Sequence, residues 1–343
     1  MSFTCIESFC GAGGLALGLH RAGFDVRLAF DADPRAVETY NRNHPRPVAR
    51  VADVRDLDGQ GLTEAAGLTL PLDLFAGGPP CQGFSKQKRG AHHGDARNDL
   101  VLEYARLVRA LEPRVFVLEN VAMFGQKRGR DFVARIAALL SDYRLHPHTY
   151  NCADYGLAQT RRRFILVGQR AGPDFAPPAP TVARPATVRE AIGDLPEPPL
   201  DHSVHPDWPN HQRARVTAVN VRRFSFVPPG GGWRDIPVEH QLPCHRRADP
   251  AKGGWPDVYG RLAWEGQAPT LTGGFDSFTR GRYGHPASDR PLTPREAARL
   301  QGFPDDWAFA GTRADWRRQI GNAVPPPLAQ ALGGAIARVL RAS

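Results

Sequence analysis

The chain has 343 residues, 41% of them hydrophobic, and a formal net charge of +9 at pH 7. That length and apolar content suit one large or two unequal domains with a substantial core. No apolar run approaches the ~18 residues of a membrane span, which excludes a transmembrane protein of that kind, and the opening Met1-Ser2-Phe3-Thr4-Cys5 lacks the basic start and apolar stretch of a secretory signal. The five cysteines at 5, 10, 81, 152 and 244 are unpatterned, which fits free thiols in a reducing cytoplasm rather than a disulfide framework or a zinc site. The positive charge fits an acidic partner such as nucleic acid. All but four of the 44 basic residues are arginine, however, a bias that a GC-rich genome also produces.

In chain order, residues 3–9 form a short apolar strand, followed by the turn Gly11-Ala12-Gly13-Gly14 and a helix over 15–22. A second strand covers 26–30, and Pro34 suits the first turn of the helix after it. Residues 72–75 read as a buried strand. Over 98–111, Leu100, Tyr104, Leu107, Val108 and Leu111 share one helical face, and Pro113 ends that helix before the strand at 115–118. Asp131 is positioned to cap a further helix with Phe132, Val133, Ile136, Leu139 and Leu140 inward, and residues 164–167 form a late strand. This alternation predicts an α/β fold with a mostly parallel sheet covered on both faces. Eight prolines between 172 and 200 mark an irregular connection, and all six tryptophans lie beyond residue 200. From there to about 289 the periodicity is weak, which predicts a second, smaller, loop-rich domain. Helical order returns at 293–301 and 324–340.

The glycine turn follows a strand and opens a helix, so backbone amides can approach an anionic ligand. Asp31 ends the second strand twenty residues after Gly11, the right distance to accept from ribose hydroxyls. Gly11-Ala12-Gly13-Gly14-Leu15-Ala16 also satisfies the dinucleotide fingerprint, so this stretch alone does not separate a dehydrogenase from an S-adenosylmethionine enzyme. Asp53, after a short apolar step, is a candidate for an adenine amino group.

In Gly77-Gly78-Pro79-Pro80-Cys81-Gln82-Gly83-Phe84-Ser85 one cysteine stands between a rigid Pro-Pro step and a glycine, right after an apolar strand. An open α/β sheet places its chemistry at such strand ends. A cysteine thiolate attacks electrophilic ring carbons, and nearby Lys86, Lys88 and Arg89 favour the thiolate. Glu119 ends the strand at 115–118 and faces the same crevice; a half-buried carboxyl there can hold a proton and donate it. Gln159-Thr160-Arg161-Arg162-Arg163 leads into the last strand with three cations suited to phosphate or an anionic ring oxygen. His92-His93 has no acidic or cysteine partner and reads as loop, not as a metal pair.

Together these residues resemble the DNA cytosine-5 methyltransferases. The family's ordered motifs appear as Phe9-Cys10-Gly11-Ala12-Gly13, Asp31, Asp53, Pro79-Pro80-Cys81-Gln82, Glu119-Asn120-Val121 and Gln159-Thr160-Arg161-Arg162-Arg163. They continue as Arg290-Pro291-Leu292-Thr293-Pro294-Arg295-Glu296 and Gln319-Ile320-Gly321-Asn322-Ala323-Val324-Pro325, and Pro269-Thr270-Leu271 resembles a weaker recognition-domain signature. The resemblance implies a Rossmann-like S-adenosylmethionine-dependent catalytic domain over 1–175 and 316–343. It also implies a target-recognition domain over 176–289 and a hinge over 290–315. Cys81 is implied as the nucleophile, Glu119 as the acid, Arg163 as a contact of the base oxygen and Arg161 as its support. Phe9, Gly11, Gly13, Asp31, Asp53, Val54, Pro80, Leu100, Asn322 and Val324 are implied around S-adenosyl-L-methionine, with S-adenosyl-L-homocysteine as product and no metal. Residues 82–97 look like a lid over a flipped cytosine. Gln82, Ser85, Lys86, Arg89, Arg222, Arg223, Arg234, Thr270, Arg280 and Arg282 are the candidates for DNA contact. The expected partner is double-stranded DNA, with no membrane, a monomeric state, a bacterial cytoplasmic location and a cognate restriction endonuclease as functional partner. The tripeptide Cys-Phe-Thr that marks the tRNA-methylating branch is absent.

Overall fold

The computed structural model describes residues 2–68, 71–80, 100–126, 129–247 and 257–343. The chain divides into two compact units. The first comprises Met1–Tyr155, Arg162–Thr181 and Ala323–Ser343; the second comprises Gly156–Arg161 and Val182–Asn322. The segment 290–315, read above as a hinge, and the helix Arg313–Asn322 therefore fall within the second unit.

The described strands are β1 (Phe3–Ser8), β2 (Phe24–Asp31), β3 (Ala49–Val51), β4 (Leu74–Gly77), β5 (Val115–Val121), β6 (Arg144–Asn151), β7 (Gln159–Thr160), β8 (Arg162–Gln169) and β9 (Ala268–Pro269). The first unit holds a seven-stranded sheet in the order β3-β2-β1-β4-β5-β8-β6. Pairs from β3 to β5 are parallel; β8 runs antiparallel to both β5 and β6. The strand order reverses between β1 and β4, the position where open α/β sheets bind ligands. Register pairs Ser8 with Gly77 and Gly77 with Leu118, so the carboxyl ends of β1, β4 and β5 lie side by side.

Buried aromatic and aliphatic side chains hold this sheet. Phe75, Tyr104, Phe116, Phe124 and Phe164 belong to one core cluster, each burial contributing about 1.5–3 kcal/mol. The Tyr104 hydroxyl, fully buried, donates to the Val117 carbonyl at 2.7 Å. On one face the helix Gly14–Arg21 lies against the closing helix Pro326–Arg341. A Cβ on Gly18 would stand 2.3 Å from the Ala329 Cβ and 2.5 Å from the Pro326 carbonyl oxygen, so that close approach requires glycine.

Some local expectations change. The helix after residue 129 runs Arg130–Leu139 with Gly129 as its N-cap, so Asp131 lies in the first turn rather than at the cap. Its charge still suits the positive helix end. Leu139 faces solvent at 42% exposure, while Ile136 and Leu140 are buried. The short β3, the helix Gly59–Ala66 and the edge strand β6 lacked a readable sequence signal.

The second unit has little regular structure. Its helices are Val188–Ile192, Ala218–Ser225, Pro243–Arg246, Pro294–Leu300 and Arg313–Asn322, with the two-stranded β7–β9 pair. Buried backbone carbonyls still need donors, and buried arginines supply them. Arg261 donates to Val227, Phe224, His285 and Ser288 carbonyls and lies 4.0 Å from the Phe224 ring centre. Arg295 donates to the carbonyls of Pro209, Pro304 and Trp307. Phe224, Phe278 and Tyr259 stack beside Arg261, with centroids 4.3 Å and 5.8 Å apart. Thr293 and Glu296 form a capping box on the helix Pro294–Leu300. Glu296 also takes both terminal nitrogens of Arg290, at 2.8 Å and 3.0 Å, with both side chains at 2% exposure or less. Burial alone would push the Glu296 carboxyl up; Arg290 outweighs it and holds the group down at about 2.

Glu296→Gln would leave the Arg290 charge buried with only Glu197 beside it. It is expected to cost about 3–5 kcal/mol in a denaturant titration; a variant as stable as the parent would refute the pairing. Two imidazoles set an acid response. Burial lowers both His44 and His285 to about 4, below the ordinary ~6.5. Between those values the unfolded chain takes up protons that the folded chain does not, so stability falls as pH drops from about 6.5 toward 4. In melting curves across that window His44→Gln is expected to lose less stability than the parent; parallel curves would contradict this.

Candidate active site

Three strand ends build the site in the first unit. After β1, Phe9 and Gly11 both adopt positive φ, 51° and 52°, and Gly13 follows at 87° as the left-handed N-cap of the helix Gly14–Arg21. Among the described residues, and its chain neighbours aside, nothing lies within 4 Å of where a Gly11 Cβ would stand, so the turn has open space beside its backbone. Behind it, the His44 Nε2–H donates to the Gly13 carbonyl at 3.2 Å, and the ring stacks on Tyr40. A Cβ on Gly13 would meet His44 Nε2 at 2.4 Å.

Asp31, at the end of β2, fastens this turn. Its Oδ2 accepts from Gly11 N at 2.9 Å and its Oδ1 from Asp33 N at 2.8 Å. Burial pushes its carboxyl up, resisted by those amides. Each oxygen keeps a lone pair, so a hydroxyl donor can still be accepted. Glu7, on β1, is buried at 1% exposure; burial and the nearby Asp31 charge push it well up, and its Oε2 has no partner among the described residues. No motif pointed to Glu7 or His44, because both lie behind the turn. Asp53 follows β3 and accepts from Arg55 N at 3.0 Å and Arg55 Nε at 2.9 Å. The Arg55 side chain holds it down at about 2. Val54 is buried and its carbonyl accepts from Arg106. Open space beside a glycine turn, an uncapped helix start and a carboxylate with spare acceptors suit the amino-acid and ribose parts of a nucleoside cofactor.

The second strand end is Gly77-Gly78-Pro79-Pro80. A Cβ on Gly77 would stand 2.2 Å from Ser8 Oγ, and one on Gly78 would stand 2.9 Å from Glu119 Oε2. The third strand end, β5, supplies Glu119 and Asn120, both buried. Asn120 Nδ2 donates to the Pro79 carbonyl at 3.1 Å, tying the chain one residue short of Pro80 and two short of Cys81. Across the β5–β8 pairing, Arg163 Nε lies 2.8 Å from Glu119 Oε1, with the side chains 11% and 10% exposed. Arg163 Nη1 donates to the Arg162 carbonyl at 2.9 Å, which fixes the guanidinium. Cys81, Gln82, Ser85, Lys86, Arg89 and the segment 82–97 lie outside the described residues.

Arg161 is used differently. It is fully buried in the second unit and donates to the Leu271 and Gly321 carbonyls at 2.8 Å and 2.9 Å. Beside it the Gln159 side chain donates to the Leu300 carbonyl and accepts from Leu271 N. Arg161 is therefore a structural tie between β7, the segment after β9 and the end of the helix Arg313–Asn322. Pro80 and Leu100 are half-buried and Val324 is buried, all in the first unit; Asn322 is an exposed helix end of the second.

The recognition candidates separate by partner. Arg223 donates to the His240 carbonyl and Asn220 Oδ1, and Arg282 donates to the Gly230 and Gly231 carbonyls. The Thr270 hydroxyl donates to the Thr160 carbonyl. Arg222, Arg234 and Arg280 are exposed, with Arg234 over the Trp233 ring. Among the described residues no group of His, Cys, Asp or Glu is arranged to hold a metal, and no helix is long and apolar enough to cross a membrane.

Comparison with known proteins gives the same direction as the geometry. Residues 3–338 match the model of the C-5 cytosine-specific DNA methylase family. The chain is 37% identical to the Type II methyltransferase M.XorII of Xanthomonas oryzae, over 98% of this chain and 85% of that one. It is 34% identical to the Type II methylase M.HgiDII of Herpetosiphon aurantiacus, over 98% and 95%. Among solved structures, a prophage-encoded E. coli protein described as a DNA modification methyltransferase superposes with a TM-score of 0.73 at 29% identity, covering 99% of this chain and 100% of the other. The match over residues 3–338 and the shared identity along nearly the whole chain make it a member of the C-5 cytosine-specific DNA methylase family, a DNA (cytosine-5) methyltransferase.

Proposed function

We propose that the chain methylates carbon 5 of a cytosine extruded from duplex DNA, by way of a transient bond to Cys81. The observation that carries this reading is the Arg163–Glu119 pair at the carboxyl end of β5, packed against Gly78 three residues before Cys81. Stacking covers the face of a cytosine inside the duplex, so the base leaves the helix at a cost of a few kcal/mol, offset by DNA contacts. The Cys81 thiolate forms a bond to ring carbon 6. Electrons from the carbon 5–carbon 6 double bond move toward ring nitrogen 3, where Glu119 donates a proton or a hydrogen bond. Positioned proton transfer of this kind is worth about 10²–10⁴-fold. Arg163 holds Glu119 in place and donates to the base oxygen.

S-adenosylmethionine, when bound, supplies the methyl group that carbon 5 takes. Gly11 and Gly13 give it backbone access, Asp31 accepts from its ribose, and Asp53 and Val54 border its adenine. Phe9, Pro80, Leu100 and Val324 are assigned to the walls of that pocket. Loss of the carbon-5 proton to water then restores the double bond and expels the Cys81 sulfur. Arg161 acts as a positioning residue through Leu271 and Gly321.

The second unit is assigned as the target-recognition part. The Type II names of the relatives support a cognate restriction endonuclease as functional partner, and the chain is proposed to act as a monomer.

Methyl transfer from labelled cofactor to duplex DNA is expected to vanish in Cys81→Ser, and a duplex carrying 5-fluorocytosine in its site is expected to trap a covalent adduct on the parent chain. Persistent transfer by the serine variant removes Cys81 from the reaction, and transfer to tRNA rather than DNA removes the substrate assignment. Gly78→Ala places a methyl group against a side-chain carboxylate that can swing aside. It is expected to melt near the parent temperature yet lose on the order of 100-fold in turnover, the usual effect of an ångström-scale misplacement. Unchanged turnover would show that the Glu119 position is not critical.

A further inference from the structure

We propose that a cleft wholly within the second unit seats the phosphodiester backbone of the target DNA, with Arg215 and Arg280 as its contact cations. This rests on the assignment of that unit to DNA and adds where and how it grips. The cleft encloses about 540 Å³ between the segment 212–217, the turn 276–280 and the helix Arg313–Asn322. At its wall, Asp276 Oδ2 accepts from Arg313 Nε at 2.8 Å and its Oδ1 from Arg317 Nη1 at 3.0 Å. One buried carboxylate thus braces two guanidiniums, leaving the trio net positive. Arg313 Nη2 and Arg317 Nε have no acceptor among the described residues. Both nitrogens are buried, so this trio adds positive charge to the cleft wall rather than a direct contact.

Two further cations complete the field. Arg215 and Arg280 are exposed, line the same cleft, and have no side-chain partner among the described residues. Arg280 lies across Gly274, where a Cβ would stand 2.6 Å from its Cδ, so the glycine sets its course. The shape selects the contact. A base edge is recessed in a groove and is read by a protruding element. A phosphate projects from the duplex and fits a concave, cationic hollow. Arg280, a candidate guanine reader by sequence, is on this geometry a backbone contact.

The test is equilibrium binding of the full chain to two duplexes over a range of salt. One duplex carries the methylation site located by bisulfite sequencing of DNA from expressing cells, and the other lacks it. Arg215→Gln and Arg280→Gln are each expected to weaken binding to both duplexes by the same factor. Each should also make the slope of log affinity against log salt shallower by about 0.9. An unchanged slope, or a loss confined to the site-bearing duplex, overturns the inference. Since binding is read without chemistry, a parent chain that methylates DNA while both variants keep its slope refutes the cleft alone. A chain that binds through the cleft but transfers no methyl group refutes the reaction alone.

Discussion

The antiparallel pairing of β5 with β8 is the constraint on which the site depends. It opposes Val121 to Arg163 and Glu119 to Ile165, so Arg163 and Glu119 are diagonal neighbours on one face of the sheet. A slip of one residue would send either side chain to the other face. The parallel pairing of β4 with β5 then brings Gly78 against the same carboxylate, and that of β1 with β4 brings the glycine turn alongside. Glu119, the strand exit Gly77–Pro80 and the glycine turn are thus set by three neighbouring strand registers, each held by side chains buried in the core.

Arginine carries two opposite tasks in this chain. Arg161, Arg261 and Arg295 are buried and donate mainly to backbone carbonyls of loops, and buried Arg290 is held by the Glu296 and Glu197 carboxylates. In a unit with few strands they do the work that ladders do elsewhere, since each guanidinium offers five donors in a fixed fork. Arg215 and Arg280 instead face solvent beside a cation-lined cleft. The formal charge of +9 therefore mixes structural and interaction charge, and only the environment of each residue separates them.

The central parallel strands β4 and β5 were legible because they are buried and carry continuous apolar runs. The edge strand β6 was not: Arg144–Asn151 contains Pro147 and buries little, as an edge position permits. The helix over Arg130–Leu139 was legible, but Leu139 sits just outside its buried face. The motifs at Gly11, Glu119 and Arg163 stood out because each sits at a strand end with a distinctive local sequence, and that at Cys81 stood out by its Pro-Pro and glycine flanks. Arg161 looked equivalent to Arg163 in the same run, yet consecutive residues there enter different units. Contacts between distant segments had no local signature: Gly78 with Glu119, His44 with Gly13, and Asp276 with Arg313 and Arg317 arise only when the chain folds.

The central claim is that an acid at residue 119 draws charge from the pyrimidine as sulfur adds to it. Solvent exchange at carbon 5, followed with duplex DNA tritiated at that position and no cofactor present, reads this step alone. The account predicts tritium release by the parent chain and a fall of about 10²–10⁴-fold in Glu119→Gln, the range for losing a positioned proton donor. Release at the parent rate by Glu119→Gln would contradict it.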